Sequence, residues 1–120
     1  MSDPETSSPG TVVPLPSGVS SPQRVFFDRA ELDALLWLYG RMVSEGEWRD
    51  YAMDFGKEKA IFSVFRRASE MPLYRIEKNP KLAGRQGIYA VIGANGFVLK
   101  RGSELKRVLA VLEKPLRAVQ

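Results

Sequence analysis

The chain has 120 residues, 44% of them hydrophobic and 10% aromatic, with a formal net charge of +4. That length accommodates one domain and some tail, with a single modest core. It has no cysteine, which excludes disulfides, thiolate catalysis and cysteine-ligated metals, and no histidine, which removes the commonest metal ligand and the usual general base near neutral pH.

The opening stretch MSDPETSSPG is polar and acidic and lacks the apolar core of a secretory signal. Residues 1–23 contain five prolines and six serines, with only Val12, Val13, Leu15 and Val19 as sizeable apolar groups. Such a segment cannot bury enough surface to offset its chain entropy. A disordered tail is expected there, with transient polyproline II around VVPLPSG. A single domain should then occupy 24–116, with 117–120 as a short C-terminal tail. No apolar run approaches the ~18 residues of a membrane span. The default expectation is a cytoplasmic protein with no membrane partner.

RVFF at 24–27 reads as a short strand leading into the first helix. Asp28 stands at an N-cap position with Glu31 three residues on, an aspartate form of the capping box. At 100° per residue, Leu32, Leu35, Leu36, Leu38, Tyr39, Met42 and Val43 form one broad stripe, so a helix should run from about Arg29 to Glu45 and stop at Gly46. Trp37 lies off that stripe, on the far side, with Ala30, Ala34 and Arg41 as neighbours.

After Gly46 the period changes to two. Tyr51, Met53 and Phe55 alternate with Asp50, Ala52 and Asp54, the pattern of a half-buried strand. GKEK at 56–59 is a turn, AIFSVFRR returns as a strand apolar on both sides, and LYRIEK follows Pro72 as a third strand. NPKLAGRQG at 79–87 is a loop by its proline and glycine content. In IYAVIGANGFVLKR, Asn95-Gly96 between two apolar runs signals a hairpin. Ser103 is the expected cap of a last helix with Leu105, Val108, Leu109 and Leu112 on one face, ended by Pro115. Hairpin-linked strands flanked by helices imply an α+β fold, a mainly antiparallel five-stranded sheet with an N-terminal and a C-terminal helix on one face.

The stretches VFFDRAELDALLWLYGRMVSEGEWRDYAMDF, AIFSVFRRASEMPLYRIEKNPKLAGRQGIYAV and LKRGSELKRVLAVL resemble a family of small, mainly alphaproteobacterial domains of unknown function, over about 25–112. The resemblance implies a bacterial, cytoplasmic domain and carries no activity, substrate or catalytic residue.

Without histidine or cysteine, only Ser–Lys, threonine or carboxylate chemistry remains open to this chain. Asp50 and Asp54 share one face of a strand, but outward polar positions explain them better than a carboxylate pair. GRQG at 84–87 lacks the spacing of a phosphate-binding loop. RRAS at 66–69 matches a minimal basophilic kinase consensus, which arises often by chance. The expectation is a protein that is not an enzyme and has no cofactor and no metal.

Charge is unevenly placed. Residues 24–65 have six bases against eight acids, whereas 66–107 have ten bases against three acids. Such asymmetry points to an acidic partner, RNA or DNA among them. The candidate polyanion surface comprises Arg66, Arg67, Arg75, Lys78, Lys81, Arg85, Lys100 and Arg101, with Tyr74 and Tyr89 either stacking bases or filling a core. The alternative is an adaptor that binds a protein partner through Ala30, Ala34, Trp37 and Arg41, because Trp and Arg are enriched at interface hot spots and small neighbours permit close approach. Trp37 could instead be covered within the chain, by VVPLP or by the region of Trp48. The polyanion reading rests on more residues and is placed slightly ahead.

Overall fold

A computed structural model describes residues 23–67 and 71–113. Expectations for the tail before residue 23, for Ser69 and for the helix stop at Pro115 lie outside the described residues. The elements in chain order are helix α1 (Arg29–Ser44), strands β1 (Asp50–Phe55), β2 (Ala60–Phe65) and β3 (Tyr74–Lys78), a 3-10 turn at Pro80–Leu82, strands β4 (Tyr89–Gly93) and β5 (Val98–Gly102), and helix α2 (Leu105–Glu113). The strands form one sheet in the order β1-β2-β3-β4-β5, every neighbouring pair antiparallel. The architecture is therefore α+β.

Register decides what each face carries. Met53, Phe62, Ile76, Val91 and Lys100 form one row across the sheet, and Phe55, Ala60, Lys78, Tyr89 and Gly102 form the next. Both rows lie on the face covered by the helices, where Phe62, Val64, Ile76 and Val91 pack with Leu35, Leu38 and Met42 of α1 and Leu105, Val108, Leu109 and Leu112 of α2. The open face carries Asp54, Ile61, Glu77, Ala90 and Arg101 in one row, and Ala52, Ser63, Arg75, Ile92 and Val98 in another. Ala90 and Ile92 are buried there although no helix covers them. Long side chains on the flanking strands, Arg75 and Glu77 on one side and Arg101 on the other, shield them with their aliphatic stems.

The capping box of α1 is present in full: Asp28 Oδ1 accepts from Glu31 N at 2.8 Å, and Asp28 N donates to Glu31 Oε1 at 2.7 Å. Gly46 follows the helix with φ +78°, the left-handed conformation expected of it. Two members of the proposed stripe, Leu36 and Val43, prove exposed, and Glu31 takes a place in the buried one. They are seven residues apart and lie together on one flank, beyond the reach of the sheet.

Two local expectations are corrected, and one is met with a different loop. RVFF is not a strand: Val25 N makes one backbone bond, to Gly56 O at 2.8 Å, before Phe27 enters the core and Asp28 caps α1. The hairpin expected at Asn95-Gly96 is present and joins antiparallel β4 and β5. Gly96 N bonds to Gly93 O and Gly93 N to Phe97 O, and Gly96 supplies the left-handed residue at φ +90°, giving a three-residue loop. The last helix opens at Glu104, whose carbonyl accepts from Val108 N, one residue after Ser103.

Glu31 also joins the helix to the sheet. Its Oε1 accepts from Lys78 Nζ of β3 at 2.8 Å and its Oε2 from the Tyr89 hydroxyl of β4, while Lys78 donates a second bond to Phe26 O at 2.7 Å. The two charged side chains are 9% and 14% exposed, so each needs the other. Glu31→Ala should lower unfolding free energy in urea by about 3–5 kcal/mol, because it leaves the Lys78 ammonium buried without its partner. Arg29→Ala, which breaks an exposed pair with Asp33, should change it by less than about 1 kcal/mol.

Burial, then the hydrogen bond to Glu31 and the negative charge of Glu31 and Asp28, push the Tyr89 hydroxyl well above its ordinary value of 10.0. Tyr39 is raised as well, by burial first and then by Asp50 and Tyr51. A group raised in the folded state supports stability fully below its unfolded value and loses that support as pH climbs through the folded one. Stability in urea should therefore decline above about pH 10. Tyr89→Phe should make that decline shallower while lowering stability at neutral pH.

Candidate functional site

The structure disperses the basic residues. Arg66, just past the end of β2, lies 3.6 Å from Glu47, and Arg67 beside it is exposed. Arg75 lies on the open face, its Nε buried without a hydrogen-bond partner and 3.9 Å from Glu77 Oε2, a carboxylate that also takes Lys59 at 3.1 Å. Lys78 faces the opposite way, under α1, and is committed to Glu31. Lys81 is exposed and 3.8 Å from Glu58, and Arg85 is exposed in the loop before β4. Lys100 belongs to the helix-side row of the edge strand β5, whereas Arg101 lies on the open face with Nη1 3.5 Å from Gly87 O. Of the eight, only Arg75 and Arg101 share the open face of the sheet. Lys78 is removed from the candidate surface altogether, because the register that buries Ile76 also turns residue 78 toward the helices. Tyr89 bonds to Glu31 and Tyr74 packs beside Trp48, ring centroids 6.5 Å apart, so both face the helices. Asp50 and Asp54 are exposed, with Ala52 between them on the same face of β1.

The other candidate set is brought together. Ala30, Asp33, Ala34, Trp37 and Leu38 of α1, with Lys106, Leu109 and Glu113 of α2, line a groove of about 650 Å³ between the two helices. The floor is apolar and made of small or aliphatic groups, while Asp33, Lys106 and Glu113 supply charge at the rim. Trp37 stands on the wall, 61% exposed, with the Arg41 guanidinium carbon 5.7 Å from its ring centroid. Arg41 reaches across to Glu113 Oε1 at 3.1 Å and along its own helix to Glu45 Oε2 at 3.3 Å. This link joins the C-terminal end of α2 to α1 and holds one end of the groove. Trp48, considered above as a cover for Trp37, is instead buried in the core beside Tyr39. The residues that sequence reasoning could not supply are those of α2: Lys106, Leu109 and Glu113 enter the site only through the packing of one helix beside the other.

Fold and groove together define a small α+β domain in which two helices cover one face of an antiparallel sheet and leave a cleft between them. The chain belongs to the family described as Protein of unknown function (DUF2794), whose model matches residues 25–109. No curated protein and no solved structure matches it. Among the described residues no helix is long and apolar enough to cross a membrane.

The two tryptophans occupy opposite environments and should report them separately. In a Trp48→Phe background at submicromolar protein, emission from Trp37 is expected to lie to the red, near that of a hydrated indole. Emission in a Trp37→Phe background should lie to the blue. A blue-shifted Trp37 under those dilute conditions would contradict the open groove.

Proposed function

We propose that the domain is a non-enzymatic adaptor that binds a protein segment in the groove between α1 and α2, with Trp37 as its anchor. The observation that carries this reading is a large indole left 61% exposed on the wall of an apolar groove of about 650 Å³. Indole and guanidinium groups are enriched where binding energy concentrates, and here Trp37 and Arg41 stand together. Small side chains at Ala30 and Ala34 leave room for a partner backbone to approach closely. The cytoplasm remains the proposed compartment, a reducing setting that a cysteine-free chain tolerates.

The polyanion reading has less support. Phosphate contacts must converge on one surface to add up, and here one of the eight bases, Lys78, is turned inward while three others, Arg66, Arg75 and Lys81, stand within ion-pair range of a carboxylate.

The test is a photo-crosslinking residue at Lys106, on the groove rim, in the full chain within cells. A nuclease-resistant adduct with a protein is expected, and it should be lost in Trp37→Ala but retained in Leu36→Ser on the other flank of α1. The partner, once identified and purified, should bind Trp37→Ala about 30-fold or more weakly, a loss of about 2 kcal/mol. Failure to form an adduct, or an adduct that nuclease removes, would reject the reading in favour of RNA or DNA.

A further inference from the structure

The outward face of α1 is complementary to itself. Ala30, Ala34, Trp37 and Arg41 follow one another at intervals of four, three and four residues, the spacing of a seam between two packed helices. Along this seam two small groups come first and two large ones follow. If a second α1 lies antiparallel in the groove about a twofold axis midway between Ala34 and Trp37, each residue meets the one whose number completes the same sum. Trp37 then meets Ala34 of the other copy, and Arg41 meets Ala30. A large group falls opposite a small one at every position, in both copies, as an isologous interface requires.

Charge follows the same symmetry. Asp33 lies three residues from the facing position of the other copy's Arg41, about 4.5 Å along the axis at 1.5 Å per residue. Asp33 is 73% exposed and its contact with Arg29 is long, at 3.8 Å, so its carboxylate is open to a better donor. Arg41 uses Nε toward Glu45 and Nη1 toward Glu113, and a guanidinium carries five N–H donors in all. Among the four seam positions no two like charges face each other, and Arg29, next to Ala30, is 87% exposed and free to turn to solvent. The alternative pairing, parallel and in register, would place Trp37 on Trp37 and Arg41 on Arg41.

We infer that the groove between α1 and α2 receives α1 of a second copy of this chain, each Trp37 entering the Ala30–Ala34 surface of the other. This rests on the reading of the groove as a protein-binding site and names its occupant. The result is a four-helix layer, with α1 of both copies at the centre, α2 of both outside, and the two sheets on opposite sides.

The experiment is sedimentation velocity and light scattering on the full chain from about 1 to 200 μM, a range that brackets the micromolar affinity of a modest interface. The mass should rise from 13.4 kDa toward twice that value. Over the same range Trp37 emission in a Trp48→Phe background should move to the blue. Ala34→Glu and Trp37→Ala should remain monomeric at 200 μM with unchanged circular dichroism, while Asp33→Arg should weaken pairing about tenfold. The chain has no cysteine, so register can be read directly: a mixture of Ala30→Cys and Arg41→Cys chains should oxidise to the mixed disulfide in preference to either homodimer. A chain that stays monomeric at 200 μM overturns the inference, as does a dimer that survives Ala34→Glu. Trp37 emission that is blue at every concentration also overturns it, since the groove would be filled from within one chain. If the chain is monomeric but the Trp37-dependent adduct at Lys106 forms with another protein, only self-pairing fails. If neither is seen, the adaptor reading fails with it.

Discussion

Glu31 is the residue on which the arrangement of helix and sheet depends. One carboxylate closes the capping box of α1, accepts the Lys78 ammonium from β3 and accepts the Tyr89 hydroxyl from β4. Apolar packing alone would let α1 slide or rotate over the sheet, because hydrophobic contact is non-directional. A buried carboxylate with three donors from three elements has far fewer acceptable positions. Removing it leaves a cation and a hydroxyl buried without an acceptor, whereas adding contacts elsewhere cannot replace the geometry. The same constraint sets the entry of the chain, since Lys78 also holds Phe26 O and thereby turns residues 24–27 over the β1–β2 hairpin.

Fixing α1 in this way determines what its other face can do. With Leu35, Leu38 and Met42 directed at the sheet, Ala34 and Ala30 turn toward α2 and Trp37 turns outward. The Arg41–Glu113 pair ties α2 to α1, and a groove lined by Leu38 of α1 and Leu109 of α2 remains between the two helices. The alanines are too small to fill that space, and Trp37 stands on its wall with most of its ring exposed. A domain that needed only stability would place leucine at such positions. Here Ala30 and Ala34 stand instead, and the groove beside them stays open.

The excess of positive charge in the second half of the chain has a different explanation from the one its clustering in sequence invites. Successive residues of a strand alternate between faces, so ten bases in forty-two residues are divided by the pleat before any partner is considered. Arg75 and Arg101 cover Ala90 and Ile92 on the face without helices, where their stems act as hydrophobic cover and their charges keep that face wetted. Lys78 works inside, against Glu31. Both roles are structural, and both require long cationic side chains.

Periodicity alone determined much of this protein: the place of both helices, the five strands, the capping box of Asp28 and Glu31, and the glycine that ends α1. These are local properties, set by the match between side-chain spacing and the repeat of 3.6 or 2 residues. The exception of Trp37 to the α1 stripe was equally legible, and with Ala30 and Ala34 it marked one wall of the groove, with Arg41 beside the indole. Sequence could not say that Glu31 would find Lys78, forty-seven residues away, since the pairing depends on which strand lies beneath the first turn of the helix. It could not separate Lys78 from the other bases, because the inward and outward sides of a strand are defined only once a second layer covers one of them. Nor could it supply Lys106, Leu109 and Glu113, which come to Trp37 through the packing of α2 beside α1. Spacing along the chain decides which residues share a face. What that face meets is decided by contacts between residues far apart in sequence, which exist only in the folded structure.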